Sequence, residues 1–331
     1  MRKIIPVIFL VVFSITTVYS QASFFKSESP LTHTFSIVAR DPSTGEMGVA
    51  VQSHWFSVGS AVSWAEAGVG AIATQSLVNV SFGPRGLELL KSGMTAKQVL
   101  DNLIASDTGR DYRQLAIVDV KGNVAAYTGK KCIPDAGHIT GDNFSVQANL
   151  MANDKIWPAM DKAFRESEGP LAERMITALE AAQNAGGDIR GKQSAAILVV
   201  RGKSTGKVWE DRLIDLRVED DPNPIVELRR LLRVHRAYEH MNNGDLAIEK
   251  NDMELAMKEY STAEEMFPEN LEMKYWHAVT LASIGKVDES LPLFKEVFLK
   301  DNDWRTLTPR LVPIGLLTVS EEDLNKILSL K

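Results

Sequence analysis

One cysteine, Cys132, stands in this 331-residue sequence, so no intramolecular disulfide can form and no disulfide framework shapes the fold. Histidine is almost as scarce. The six histidines are scattered, with no close pair at metal-ligand spacing and no zinc motif, so neither a metal nor a cofactor is expected. Lysine and arginine never gather into a run long enough to track a phosphate backbone. With a net charge of −6, nucleic acid is not an expected partner. Gly68, Gly70 and Gly83 form no phosphate loop followed by Lys-Ser/Thr, and they lack the βαβ setting of a dinucleotide site. What remains is an ordinary globular composition, 44% hydrophobic and 24% charged, on a chain long enough for two domains.

The first residues differ in kind from the rest. Arg2 and Lys3 precede IIPVIFLVVFSITTVY, and small residues follow at Ser20 and Ala22, which is the charged, apolar, small-residue order of a secretory leader. Residues 1–22 are therefore read as a signal peptide and 23–33 as a linker or propeptide, with export to the periplasm or the exterior. An uncleaved anchor is the alternative, but the apolar run is short for a membrane span. Behind the leader comes TFSIVARDPSTGEMGVAVQS, in which Thr34 opens two apolar strands joined by a Gly-containing turn. A threonine whose own α-amine is freed carries a base of pKa about 7.7–8.0 beside its hydroxyl, the minimal machinery for amide hydrolysis. The plain alternative is a β-branched residue that starts a strand.

Along the chain, strand-like and helical patterns come in blocks. AVSWAEAGVGAIATQS reads as two strands broken at Gly68, PRGLELLKSG and TAKQVLDNLIAS as helices, the second capped by Thr95, and QLAIVDVKGNVAAYTG as a hairpin turning at Gly122-Asn123. HITGDNFSVQANL reads as another turn-linked pair. Helices over about 154–167 and 170–185, then the strands QSAAILVVRG and LIDLRV, complete an α+β pattern with antiparallel sheets. After Pro222 and Pro224 the chain is helical, which puts a domain boundary between residues 34–221 and 222–331. A helix over about 225–243 is expected to pack with the helices that follow, and the tail to cap the stack. Arg229, Arg230, Arg233 and Arg236 read as a solvated helix face. Cys132 follows Lys130 and Lys131, which would lower its pKa, although a lone thiol is ordinarily packing material.

Two resemblances sharpen this. In the helical region a self-similarity of about 34 residues pairs Asn251 with Gly285, Ala256 with Ser290, Tyr260 with Phe294 and Ala263 with Val297. With Gly244 and Pro268 it resembles tetratricopeptide repeats. The opening block, with AGVGAIATQS, the Phe82-Gly83-Pro84-Arg85-Gly86 step, AGHITG and GGDIRGKQSAAILVV, resembles a bacterial family of unknown function assigned to the N-terminal nucleophile (Ntn) hydrolase superfamily. The likeness runs from Thr34 to about Arg233, and it implies a four-layer αββα sandwich and an amidohydrolase. Thr34 would be the nucleophile once the bond after His33 is cut, with Gln75, Asn79 and Asn149 as oxyanion donors and Ser53 and Ser81 as proton relays. Arg85 and Arg190 would orient a substrate carboxylate, Ser36 would neighbour Thr34 on the same strand face, and His138 would carry protons or simply satisfy a turn. Asp188 would either serve the site or pair with Arg190.

The expected partner is a small amide or peptide-like substrate. A protein or peptide in the helical groove and self-association are left open. A different class of function, a non-catalytic envelope protein binding a partner through its helical region, stands beside the hydrolase.

Overall fold

The computed structural model describes residues 31–32 and 34–331; the expected leader, the first part of the expected linker and His33 lie outside them. β1 (Leu31–Thr32) and β2 (Thr34–Arg40) lead into β3 (Met47–Ser53). The β2–β3 turn is held by Asp41, whose carboxylate accepts from the amides of Ser43 (2.7 Å) and Thr44 (3.2 Å). One helical turn, α1 (Gly59–Val62), precedes β4 (Ser63–Glu66) and β5 (Gly70–Leu77), and then come α2 (Phe82–Lys91) and α3 (Ala96–Ala105). Thr95 and Gln98 cap α3 reciprocally, as the sequence predicts. The hairpin β6 (Arg113–Asp119) and β7 (Val124–Thr128) is followed by β8 (Gly137–Gly141), β9 (Phe144–Ala148), α4 (Ile156–Glu166), α5 (Leu171–Asn184), β10 (Ser194–Val200), the turn α6 (Val208–Asp211) and β11 (Arg212–Val218).

Among the described residues every strand pairing is antiparallel. A six-stranded sheet runs β11-β10-β3-β2-β9-β8, and a five-stranded one runs β1-β5-β6-β7 with β4 also on β5. Strand alternation decides what faces what. Phe35, Ile37 and Ala39 of β2, with Phe144, Val146 and Ala148 of β9, pack on Met160, Phe164, Met175 and Leu179 of α4 and α5. Val38, Val49, Val51 and Leu198, on the opposite face, meet Ala71, Ala73, Ala116 and Val118 of the other sheet. The far side of that sheet, through Ile72, Leu115 and Ile117, packs on Val99, Leu100 and Leu103 of α3 and Leu87 and Leu90 of α2. Full burial of each of these larger side chains contributes about 1.5–3 kcal/mol before chain entropy is counted.

A helical region follows: α7 (Pro224–Glu249), α8 (Met253–Met266), α9 (Leu271–Ser283), α10 (Val287–Lys300), α11 (Asp303–Leu311) and α12 (Glu321–Leu328). α7 serves both parts of the chain. Its first turns put Ile225, Leu228 and Leu232 into the cluster with α5, Ile214 and Val218, and its later turns put Ala237, Met241 and Ala247 against Ala256 and Tyr260 of α8. The solvated basic face expected of α7 is only partly so. Arg229 reaches Glu180 (2.8 Å) and Thr177 (3.1 Å), and Arg236 reaches Glu173 (2.9 Å), because α5 presents carboxylates beneath them. The helix also runs past residue 243, since Gly244 works as a spacer within it. Leu311, Leu317 and Ile327 of the tail close the cluster built on Tyr275, Ala278 and Phe294.

Gly244 yields a test in which two effects oppose. In an open helix Gly→Ala stabilises by about 1 kcal/mol. Here an added Cβ would stand 2.8 Å from the ring of buried Tyr260, whose hydroxyl is anchored on Asp245. Overpacking wins, and Gly244→Ala is expected to lower stability by about 1–3 kcal/mol in urea titration.

Candidate functional site

The space between the sheets has an apolar end and a polar end. Cross-strand register places Thr34 of β2, Ser53 of β3 and Ser194 of β10 side by side. They lie on the face that continues as Val38, Val51 and Leu198, and so look toward the five-stranded sheet. One step along, Ser36 pairs with Gln147, and Gln147 with His138. Gln75, Gln114 and Thr128 form the opposing row on β5, β6 and β7. Thr34, Ser36, Ser53, Gln75, Gln114, Ser145, Gln147, Asn149 and Ser194 are all fully buried.

Buried amides at this density are tolerable only when they satisfy one another. Gln75 spans the gap: its Nε2 donates to the carbonyl of Thr34 (3.1 Å) and to Oε1 of Gln114 (2.7 Å), while its Oε1 accepts from the Ser36 hydroxyl (2.6 Å). Ser36 in turn accepts from Gln147 Nε2 (2.6 Å), whose Oε1 accepts from Ser145 (2.9 Å). Gln114 Oε1 also accepts from Asn149 Nδ2 (2.9 Å), which lies 3.4 Å from the Thr34 carbonyl, and Gln114 Nε2 donates to the carbonyl of Ala148 (2.9 Å) and to Thr128 Oγ1 (2.9 Å). Ser194 joins from the side, accepting from the amide of Val58 (3.1 Å).

At the edge of both sheets, Thr128 Oγ1 lies 2.8 Å from His138 Nδ1. The Thr128 oxygen also accepts from Gln114, so the hydroxyl and the imidazole share one chain of hydrogen bonds. Burial pushes the His138 pKa down. The histidine sits in β8 and not in a turn. Together with Thr128, Lys130, Asp135, Asp154 and Trp157 it lines a cleft of about 670 Å³.

On the other flank, next to Ser53, the side chain of Asp188 is wholly buried and accepts from the amides of His54 (3.2 Å) and Arg190 (2.9 Å). Arg190 adds Nε (3.0 Å) and Nη2 (2.7 Å) to the same carboxylate. The loop that aims Asp188 depends on left-handed backbone at Gly187 (φ 65°) and Gly191 (φ 119°), which is why GGDIRG reads as it does.

Asn79, Ser81 and Arg85 belong to a different set of bonds. Asn79 Oδ1 accepts from the Ser81 amide (3.2 Å) and hydroxyl (2.7 Å) at the start of α2, its Nδ2 faces Asp107 (3.4 Å), and Arg85 donates to Ser106 (3.0 Å). These bonds tie the three residues to the end of α3 and to the loop after it. Cys132 is buried, and burial pushes its thiol pKa up. The two lysines before it turn elsewhere, Lys130 toward Asp111 (3.6 Å) and Lys131 over the Tyr112 ring (5.1 Å), so the lowered thiol pKa expected from them does not hold.

Gln114, Gln147, Ser145 and Thr128 were not anticipated from the sequence. Their signal is a polar residue at the inward position of an apolar strand: Gln114 alternates with Ala116 and Val118, and Gln147 with Ser145 between Val146 and Ala148. Among the described residues no group of three or more His, Cys, Asp and Glu side chains is placed to hold a metal ion.

Residues 34–228 match the family of unknown function DUF1028. The chain belongs to this family. A crystal structure of another DUF1028 protein, SPO2555 from Silicibacter pomeroyi, resembles it at a TM-score of 0.56 and 32% sequence identity, covering 61% of this chain and 85% of that one. No curated protein matches the chain.

Two measurements probe the network of this DUF1028 protein. Gln114→Leu removes the acceptor shared by Gln75 and Asn149, and is expected to cost about 2–4 kcal/mol in chemical denaturation, because each buried donor left unmet costs about 1–3 kcal/mol. His138 sets a pH dependence. Its folded pKa lies below the ordinary value of about 6.5, so the unfolded chain binds the proton first as pH falls. Stability is intact above about pH 6.5 and declines beneath it. The urea midpoint is expected to fall more steeply between pH 7.5 and 5.5 in the wild type than in His138→Gln.

Proposed function

We propose that this chain is an exported amidohydrolase of the N-terminal nucleophile type, with Thr34 as nucleophile after a cut between His33 and Thr34. The observation that carries the reading is the position of Thr34: first residue of an inner strand, fully buried at the polar end of the inter-sheet space, in line with Ser53 and Ser194. The packing order of α4 and α5, the six-stranded sheet, the five-stranded sheet, and α2 and α3 fits the αββα sandwich of that superfamily.

In this reading the freed α-amine takes the proton from the Thr34 hydroxyl as Oγ attacks the amide carbonyl carbon. The carbon–nitrogen bond then breaks, with the proton passing to the leaving nitrogen. Water adds to the resulting ester, releasing a carboxylic acid and restoring Thr34. Gln75 and Asn149 direct their donors at the Thr34 carbonyl, which suits them to hold the nucleophile in place. His138, neutral and beside the cleft, suits a substrate contact. Arg190, fixed on Asp188 and part exposed, suits a contact with a substrate carboxylate.

The second reading, a protein-binding envelope component, draws support from the helical region. Ala256, Tyr260 and Ala263 of α8 and Ser290, Phe294 and Val297 of α10 are all buried at matching positions about 34 residues apart, as paired tetratricopeptide-like helices require.

Intact-mass measurement of the exported protein separates the two: the hydrolase reading expects a chain beginning at Thr34, and a chain found only with upstream residues attached removes it. Treatment with a β-lactone electrophile is expected to place an adduct on Thr34 of the wild type and of Thr34→Ser. Thr34→Ala is expected to take none, at a stability cost of about 1–2 kcal/mol. Labelling of Thr34→Ala would reject Thr34 as nucleophile.

A further inference from the structure

The two residues of β1 do not belong to the sheet that the chain enters next. Leu31 and Thr32 pair antiparallel with Leu77 and Ser76 of β5, in the five-stranded sheet, whereas Thr34 opens β2 opposite Ser53 in the six-stranded one. The chain therefore changes sheet between Thr32 and Thr34. One edge of β5 is taken by β6 from Gly70 to Ser76. Its other edge is taken by β4 only from Gly70 to Ala73, and among the described residues β1 supplies the sole strand partner farther along. That stretch is firmly held. Gln75 is tied to Thr34 and Gln114, and the carbonyl of Leu77 accepts from Arg113, itself fixed on Asp107 (2.8 Å). Ser76 keeps a left-handed backbone (φ 74°), which a non-glycine residue retains only where its surroundings impose it.

Resting on the hydrolase reading, we infer that the β5 edge at Ser76–Leu77 is the acyl-side subsite, and that the substrates are extended peptides with at least three residues before the scissile amide. The argument is one of connectivity. Residues 31–33 form the acyl half of the bond before Thr34, so once it is cut and the segment leaves, the edge that β1 occupied is bare and lies one residue from the nucleophile. A peptide that adds to that edge as an antiparallel strand brings the carbonyl of its third residue to Thr34, and main-chain hydrogen bonds supply the affinity. A small amide with a single acyl residue cannot reach the edge.

The probes are acetyl-Ser-Pro-Leu-Thr-His-aminomethylcoumarin, the same peptide N-methylated at Leu or at Thr, and acetyl-His-aminomethylcoumarin, given to the exported protein beginning at Thr34. The long peptide is expected to exceed the short one in kcat/KM by about tenfold or more, and N-methylation is expected to cost about tenfold at one of the two positions and little at the other, since antiparallel pairs alternate in bonding. Equal turnover of all four would overturn the subsite and leave the hydrolase standing. Binding of acetyl-Ser-Pro-Leu-Thr-His measured by calorimetry, sensitive to N-methylation at one position but without cleavage of any probe, would keep the subsite and remove the hydrolase. Protein beginning at Thr34 that neither cleaves nor binds any of these peptides would overturn both.

Discussion

The mutual satisfaction of the buried amides between the two sheets governs this end of the structure. Between the sheets, the place where alanine and valine meet gives way to glutamine, asparagine, serine and threonine, all of them buried except Thr128 at the cleft. Such groups are costly singly and stable only as a closed set. Gln75 closes the set, because its one amide touches the backbone of the six-stranded sheet at Thr34, the hydroxyl of Ser36 and the side chain of Gln114. The separation of the sheets at this end is thereby fixed to the length of a glutamine. Their relative stagger is fixed as well, since a slip of one residue along β2 would turn Phe35 inward and Ser36 toward the helices.

Much of the fold was legible in the sequence because it rests on local rules. The β2–β3 hairpin, the β6–β7 hairpin turning at Gly122, the Thr95 cap and the placement of α4 and α5 follow from turn residues, capping and periodicity, and the boundaries agree within a few residues. The site was legible in part. Thr34, Ser36, Ser53, Gln75 and Asn149 come together as adjacent strand positions, and Asp188 and Arg190 stand beside them. Gln114 and Gln147 escaped because each belongs to an otherwise apolar strand and acquires meaning only through a partner on a different sheet. Asn79, Ser81 and Arg85 were grouped with Thr34 by family resemblance and residue type, but in the fold Asn79 faces Asp107, Ser81 bonds to Asn79 and Arg85 bonds to Ser106. Cys132 teaches the same lesson: its neighbours in sequence are lysines, whereas its neighbours in space are the carbonyl of Arg113 and a buried surface.

The residue blocks that carry the resemblance acquire physical roles here. The Thr34 block supplies the central hairpin of the six-stranded sheet, AGVGAIATQS supplies the bridging glutamine, AGHITG supplies the edge histidine, and GGDIRGKQS supplies both the loop around Asp188 and the serine in line with Thr34. All but the Phe82–Gly86 step contribute to one end of the inter-sheet space. That convergence is the structural ground for the proposed site, since packing alone would spread its demands over the whole core.

The family match ends at residue 228, within the first turns of α7, and α7 continues without a break to Glu249. The helical region is thus grown out of the last helix of the family fold and not tethered to it by a linker. A 26-residue helix spans about 39 Å at 1.5 Å per residue. Its first turns are part of the core beneath the six-stranded sheet, so a stop codon at the proline-rich junction would strip Ile225, Leu228 and Leu232 from Ile214 and Val218. The two parts therefore share one helix, and moving the helical region onto another protein would have to carry a piece of the sandwich with it.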